Sequence, residues 1–165
     1  MKLSTYKIMI ICLMIVFPIV SGLIELANTA YNPAILVFGK WFVFWGIGVR
    51  LLIAGIRQIA KPNLTSEEIL GIKGSEAWVL VRELGFANLG LGLIGVLSLW
   101  LTGWGYAAGL AGGLFLTLAG IGHLKKQQRN SDENLAMVTD LLVGIIGLLY
   151  FLSFVVIYIA LFKLS

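Results

Sequence analysis

The sequence predicts an all-α integral membrane protein, a bundle of about five transmembrane helices. Hydrophobic residues make up 59% of the 165 residues and charged residues only 12%, whereas a soluble domain typically carries about 25% charged residues. The mean hydropathy is +0.98. A helix needs about 20 residues to span a bilayer, so we expect residues 1–165 to form one transmembrane domain without a separate soluble part.

Five apolar runs supply the expected helices, and proline and glycine mark the breaks between them. Asn32-Pro33 separates the first run from the second, because the residue before a proline avoids helical dihedral angles. Lys61-Pro62 ends the second run, and Thr102-Gly103 begins an uncharged turn between the third and the fourth. The predicted spans are roughly residues 8–29, 34–60, 76–101, 104–124 and 134–162.

The first run resembles a secretory signal peptide, since Lys2 and Lys7 precede an apolar stretch. It lacks the small-residue cleavage site that such peptides carry at their exit. We therefore predict that this run is retained as the first span.

The two longer connections carry signals for the start of a helix. Thr65 and Glu68 have the spacing of a capping box, in which each side chain bonds the backbone N–H of the other residue. They predict a short interfacial helix that continues through Ile69 and Leu70. Residues 130–133, Asn-Ser-Asp-Glu, offer similar caps for the last span.

The distribution of lysine and arginine predicts the direction of insertion, because cytoplasmic loops are enriched in both residues. With five spans, the N-terminus and the two longer connections share one side of the membrane. That side collects nine basic residues, and the opposite side has two, Lys40 and Lys163. We therefore predict a cytoplasmic N-terminus and an external C-terminus. The nine residues are Lys2, Lys7, Arg57, Lys61, Lys73, Arg82, Lys125, Lys126 and Arg129.

The net charge of +4 does not indicate a nucleic-acid partner, because the basic residues lie at the ends of apolar runs. The predicted partner is the lipid bilayer. Cys12 is the single cysteine and lies within an apolar stretch, so we expect no intramolecular disulfide and no metal site.

Two glycine patterns are interpreted as packing signals. Gly90-x-Gly92-x-x-Gly95 fits the dinucleotide-binding pattern, but that pattern requires a strand-turn-helix junction. Here the glycines lie within a span, where small residues let helices approach closely. Gly109-x-x-x-Gly113 has the same interpretation, with packing inside the chain favoured over packing between two chains.

Polar side chains lie at similar depths in several predicted spans. At 1.5 Å per residue, Glu83 is about 10 Å from the cytoplasmic end of its span, and Arg50 about 15 Å. Asn88 is about 18 Å and Asp140 about 9 Å from that end. An unpaired charge near the bilayer centre costs at least about 2.5–3.5 kcal/mol, so such groups pair and face the bundle interior. Arg57 and His123 lie nearer the surface of the membrane. The candidate polar or ligand-binding site comprises Arg50, Arg57, Glu83, Asn88, His123 and Asp140.

Arg50 must pair or snorkel, because its guanidinium group stays protonated. Glu83 is its predicted partner and Asp140 is the alternative. Asn88 lies about 140° from Glu83 around the helix, which makes it a candidate for an interhelical hydrogen bond. Two stripes at helical spacing indicate inward-facing sides: Gly39, Val43, Gly46, Arg50, Ala54 and Arg57 in the second span, and Gly109, Gly112, Leu116, Ala119 and His123 in the fourth.

The same residues also have structural interpretations. Arg82 fits a positive-inside anchor, and His123 fits a side chain at the negative end of a helix dipole. The Arg50–Glu83 pair could serve only to fix helix register. Intramembrane ionisable residues are functional hypotheses by default, so both interpretations stay open. Four glycines either leave space for a ligand or bring backbones together: Gly46, Gly92, Gly112 and Gly144.

Four segments resemble a family of small bacterial multi-pass membrane proteins of unknown function. They are residues 39–59 (GKWFVFWGIGVRLLIAGIRQI), 81–95 (VRELGFANLGLGLIG), 120–124 (GIGHL) and 133–141 (ENLAMVTDL). The resemblance covers most of the chain from about Gly39 onward, and its most specific motifs are GFANLG and GIGH. It implies a helical membrane bundle, with Glu83, Asn88 and His123 as motif positions, and it supplies no reaction, substrate or cofactor. With the predicted topology it places the chain in a cell inner membrane.

Three classes of function remain open. The first is a polar pocket, open to the cytoplasm, that binds a small amphipathic ligand or moves a proton. The second is an accessory or assembly protein whose polar residues only lock the helices together. The third is an intramembrane enzyme that uses Glu83 or His123 as acid or base, but no HExxH, paired-cysteine or nucleophile motif supports it. We favour the pocket; the ligand and any cofactor are unknown, and a homo-oligomer is compatible with the sequence.

Overall fold

Five long helices make up the fold. The structure is a computed structural model that describes residues 5–29, 33–69, 71–72, 74–101 and 103–163, with only the backbone of residues 68 and 69, and within these residues it contains no strand. All five helices are long and apolar enough to cross a membrane, which confirms the predicted all-α fold. The direction in which the bundle crosses a membrane stays a prediction. The helices are α1 (Thr5–Asn28), α2 (Ala34–Ala60), α3 (Ser75–Leu97), α4 (Trp104–Lys125) and α5 (Ser131–Phe162).

The breaks between the helices fall close to the predicted positions. Pro33 directly precedes α2, and its carbonyl accepts the backbone N–H groups of Leu36 and Val37. Gly103 precedes α4 with a φ of 89°, a left-handed conformation that glycine adopts without a steric penalty. Asn32 and Thr102, the other residues of these predicted breaks, lie outside the described residues.

The start of α5 carries the predicted capping box. The Asn130 side chain accepts the backbone N–H groups of Asp132 at 3.0 Å and of Glu133 at 2.8 Å. The Glu133 carboxylate in turn accepts the Asn130 N–H at 3.1 Å. These bonds satisfy donors that the first turn of a helix leaves without partners.

The second connection differs from its prediction. Leu64–Ile69 forms a π-helical turn, and Thr65 lies inside this turn rather than at its cap. Thr65 therefore does not occupy its predicted capping position, because residues 62–64 ahead of it are already helical. The side chain of Glu68, its predicted partner, lies outside what the structure describes. Thr65 is instead buried, with 8% of its surface exposed. Leu70, the predicted end of this helix, lies outside the described residues.

Glycines bring α2 against α3 and α4 against α5. A Cβ atom added at Gly95 of α3 would lie 2.6 Å from the Cα of Gly48 on α2. A Cβ added at Gly113 of α4 would lie 2.9 Å from the carbonyl oxygen of Gly144 on α5. These distances leave no room for a side chain, so the paired helices pack backbone to backbone. Packing within the chain is thereby confirmed for Gly92, Gly95, Gly109 and Gly113.

Other glycines depart from what the sequence suggested. Gly90 faces open space on the outer side of α3, where no described residue of another helix lies within 4 Å of an added Cβ atom. A Cβ at Gly46 would meet the Val143 side chain, and the space beside Gly112 is occupied by the side chain of Ile47. The glycines suggested to leave room for a ligand, Gly46, Gly92, Gly112 and Gly144, therefore all pack against neighbouring helices.

An apolar centre separates two polar ends of the bundle. Val43, Ile47 and Val143 fill this centre and are fully buried. At one end, Glu25 of α1 accepts the indole N–H of Trp41 at 2.7 Å and forms an ion pair with Lys40 of α2. The candidate site lies at the other end, which holds the N-terminus.

Contacts between charged groups hold this N-terminal end together. Lys7 of α1 lies 3.2 Å from the Asp132 carboxylate and 2.8 Å from the Ser131 hydroxyl at the start of α5. Arg129 donates to three backbone carbonyls at the end of α4. These carbonyls are groups that a helix C-terminus leaves without intrahelical donors. The first, fourth and fifth helices are thus tied together around one end of the bundle.

Candidate functional site: a polar cavity at the N-terminal end

A cavity of about 180 Å³ lies at the N-terminal end of the bundle, between all five helices and the second connection. Five of the six predicted site residues line this cavity, and Glu83 does not. Ile53 lines it and is itself 36% exposed, so the cavity reaches the outer surface of the bundle beside α2. Its polar wall comprises Tyr6, Arg50, Arg57, Gln58, Thr65, Asn88, His123 and Asp140.

Arg50 of α2 forms an ion pair with Asp140 of α5. Arg50 Nη2 lies 2.7 Å from Asp140 Oδ1, and the two side chains are 12% and 5% exposed. Asp140 Oδ1 and Arg50 Nε both lack a hydrogen-bond partner among the described residues. The contact is therefore a close ion pair that is not aligned as a hydrogen bond. Asp140 is therefore the partner of Arg50, as the alternative prediction had it, and the first-choice partner Glu83 was wrong.

The face that α3 presents to α2 explains why Glu83 is elsewhere. Val81, Gly85 and Asn88 are buried on this face, which continues through two further glycines toward the end of the helix. Glu83 is two residues from Gly85 and therefore lies about 200° around the helix from it. Its side chain is exposed on the outer surface of the bundle. Close packing at the glycines fixes the rotation of α3, and this rotation turns Glu83 away from Arg50.

Asn88 makes the predicted interhelical hydrogen bond, and its partner is Gln58 of α2. Asn88 Nδ2 donates to Gln58 Oε1 at 2.7 Å, and both side chains are buried. The Asn88 Oδ1 atom is buried and has no hydrogen-bond partner among the described residues. Gln58 was not among the predicted site residues, although its helical spacing from Leu51 and Gly55 was a signal of a shared buried face.

A π-helical segment, Val43–Val49, directly precedes Arg50. A π-turn contains more residues than an α-turn, because each hydrogen bond spans i to i+5. The most buried face of α2 is therefore displaced beyond this segment and runs along Leu51, Gly55 and Gln58. Arg50 and Arg57 lie beside this face, on the cavity wall. The predicted stripe of small residues around Arg50 is thus interrupted after Gly46.

Arg57 and His123 are half-buried at the cavity wall. Arg57 forms no ion pair with any carboxylate whose side chain the structure describes, a set that leaves out Glu68. His123 lies in the last turn of α4, so its position suits both the predicted cavity role and the predicted helix-dipole role. Tyr6 and Thr65 also line the cavity and were not predicted to, because nothing in their local sequence distinguishes them from surface residues at the end of a span.

The charges of the cavity do not cancel. Arg50 and Asp140 neutralise each other, and Arg57 adds one positive charge that no described carboxylate balances. His123 is the single titratable imidazole of the chain. Within the described residues, no cluster of three or more His, Cys, Asp and Glu side chains is placed to hold a metal ion. The cavity is therefore equipped to bind an anionic group by charge and by hydrogen bonds.

Comparison with known protein families identifies the family of this chain. A family model described as a family of unknown function, DUF6790, matches residues 5–161. The chain belongs to DUF6790. No curated protein and no solved structure matches it. Membership in DUF6790 agrees with the expected relationship to a family without an assigned function.

Proposed function

We propose that this DUF6790 protein is a membrane-embedded binding protein that takes a small amphipathic molecule with an anionic head group into the polar cavity. The membrane would be a bacterial inner membrane, with the cavity in its cytoplasmic half. The observation that carries the proposal is Arg57, a half-buried cation on a largely apolar cavity wall with no described carboxylate against it. A bound carboxylate or phosphate would supply the missing negative charge.

Two residues of the cavity wall carry further hydrogen-bonding atoms without described partners. Arg50 Nε is a buried donor without a described partner, and Asn88 Oδ1 is a buried acceptor without one. Leaving a buried polar group unpaired costs about 1–3 kcal/mol. Both atoms are fully buried, so a head group would pair with them only after the two side chains turn toward the cavity.

The rest of the cavity suits an apolar tail. Ile10, Leu51 and Leu116 contribute buried apolar surface to its wall. Ile53 lies on a spanning helix, so the opening beside it faces the region that lipid tails occupy. A volume of about 180 Å³ is below the roughly 300–1,000 Å³ of a drug-sized pocket. It therefore fits a head group and the first part of a chain, with the remainder reaching into the bilayer.

Ligand binding is favoured over proton movement across the membrane. The cavity ends at the apolar centre, where Val43, Ile47 and Val143 are fully buried. Glu25 at the opposite end is separated from Asp140 by this layer. The described side chains therefore provide no continuous series of titratable groups from one end of the bundle to the other.

Thermal unfolding of the full chain in a neutral detergent or in nanodiscs tests the proposal. We expect octanoate and octyl phosphate to raise the unfolding temperature, because a ligand that binds only the folded state stabilises it. Octanol and octyltrimethylammonium share the tail and lack the anionic head, so they serve as matched ligand controls and should have little effect. Equal shifts from all four compounds would indicate partition into apolar surface and would overturn the proposal.

Two arginine-to-glutamine variants test whether octanoate binds in the cavity. Arg57→Gln should weaken octanoate binding on the order of 10- to 100-fold, because a hydrogen bond to a charged group contributes about 1.5–3 kcal/mol. Arg82→Gln makes the same change on the outer face of α3, away from the cavity, and should leave the affinity unchanged. If no anionic amphiphile binds and Arg57→Gln has no effect, the direct Arg50–Asp140 and Asn88–Gln58 contacts favour the accessory function, in which polar side chains only lock the helices.

A further inference from the structure

The outer face of α3 carries two charged residues that the cavity does not use. Arg82 and Glu83 are both exposed, and neither forms an ion pair or a side-chain hydrogen bond with any residue that the structure describes. Glu83 lies about 12 Å along the helix from Ser75, the first residue of α3. In a span of this length, that position is well inside the hydrocarbon region.

The two charged side chains differ in how they can reach water. Arg82 has a long side chain that can extend toward the head groups. Glu83 has a short side chain and cannot reach that far from a depth of about 12 Å. A charge left in hydrocarbon costs several kcal/mol, so intramembrane charges pair with one another. No described residue of the chain pairs with Glu83, so a cation supplied by a second chain would stabilise its carboxylate at this depth.

The residues around Glu83 form a second, unpartnered stripe along α3. They recur with alternating spacings of four and three residues, the pattern by which two helices pack along a seam. This stripe lies on the opposite side of α3 from the face that packs on α2. Gly90, at its middle, has open space beside it, which permits close approach of another helix. The outer stripe comprises Val79, Glu83, Phe86, Gly90, Leu93 and Leu97, all exposed.

We propose that the outer stripe of α3 packs in parallel against the outer stripe of α3 in a second copy of this chain. In such a two-fold contact the same surface is used twice, so Arg82 of each copy faces Glu83 of the other. Arg82 directly precedes the seam position of Glu83 and therefore flanks the seam, where side chains reach across to the partner helix. The four charges cancel, and both Glu83 carboxylates are neutralised within the membrane. The cavity has no part in this contact, so the inference is independent of the proposed ligand.

Disulfide cross-linking in native membranes tests the position of the contact. Leu93→Cys lies on the outer stripe, and Leu118→Cys is a matched control on the exposed face of α4, each made together with Cys12→Ser. We expect an oxidant to convert the Leu93→Cys protein into a covalent dimer and to leave the Leu118→Cys protein mostly monomeric. Equal cross-linking at both positions, or none at Leu93→Cys, would overturn the proposal.

A charge-exchange experiment tests the reciprocal ion pair. Arg82→Glu gives each copy two neighbouring acidic residues, and Glu83→Arg gives each copy two basic residues. Each variant alone should dimerise at least about tenfold more weakly than the parent, because like charges face each other. Co-expression of the two variants with different affinity tags should restore a mixed dimer, because opposite charges then meet. Dimerisation of the single variants at the parent level would refute the ion pair, and so would absence of the mixed dimer when both variants unfold at the parent temperature.

Discussion

Arg50 Nη2 lies 2.7 Å from Asp140 Oδ1, and this ion pair joins α2 to α5 across the wall of the polar cavity. Both side chains are almost fully removed from solvent. The pair fixes the depth at which two helices that are far apart in the sequence meet. Arg50 also lines the cavity, so the same arginine can hold the helices together and contact a bound head group.

Breaking this pair should destabilise the fold strongly. Asp140→Leu leaves the Arg50 charge buried and unpaired, which typically costs about 3–5 kcal/mol. Replacing both residues, as Arg50→Met with Asp140→Leu, should recover part of this loss because no buried charge remains. Thermal unfolding in detergent measures both effects.

Glu83→Leu tests whether Glu83, and not Asp140, is the partner of Arg50. Residues in direct contact show non-additive effects on stability, whereas distant residues show additive ones. We expect the Arg50→Met and Asp140→Leu changes to be non-additive and the Arg50→Met and Glu83→Leu changes to be additive. The reverse pattern would mean that Glu83 is the partner of Arg50 in the membrane.

The Asn88–Gln58 hydrogen bond should stabilise the α2–α3 contact. Asn88→Leu leaves the Gln58 amide without its described partner, and an unsatisfied buried group costs about 1–3 kcal/mol. Gln58→Leu should cost a similar amount, and the double variant less than the sum of the two. Chemical or thermal unfolding of the three variants checks this expectation, and additive losses would show that the two side chains do not interact.

Glycines at the helix contacts should tolerate no side chain. Gly95→Ala places a methyl group 2.6 Å from the Cα of Gly48, so α2 and α3 must separate and the unfolding temperature should fall. Gly122 lies within α4 with open space around its Cα. Gly122→Ala is therefore a matched control, and it should keep or raise stability, since alanine favours a helix over glycine by about 1 kcal/mol. Similar unfolding temperatures for the two variants would contradict the backbone-to-backbone packing.

The predicted topology has a direct test. The nine-to-two excess of basic residues predicts an external C-terminus. Ser165→Cys, combined with Cys12→Ser, places a single thiol at the last residue, which lies outside the described residues. A membrane-impermeant thiol reagent should label this cysteine in intact cells. Labelling only after the membrane is opened would contradict the predicted external C-terminus.

The sequence by itself determined the features that depend on neighbouring residues. Apolar runs of sufficient length predicted all five helices, and Pro33, Gly103 and Asn130 marked the starts of three of them. Helical periodicity placed Leu116, Ala119 and His123 on an inward face of α4, where they line the cavity. Each of these inferences uses local geometry, because backbone propensity and helical spacing act over a few residues.

Only the tertiary structure decided which polar groups meet. Glu83 and Asp140 were both at a suitable depth for Arg50, and depth alone cannot distinguish them. The choice depends on the rotation of α3, which is set by glycine contacts with α2. It also depends on the π-helical segment before Arg50, which displaces the buried face of α2. A rotation of about 100° per residue separates a buried side chain from an exposed one, so contacts between distant segments, and not the local pattern, put Asp140 in the cavity and Glu83 on the outer surface.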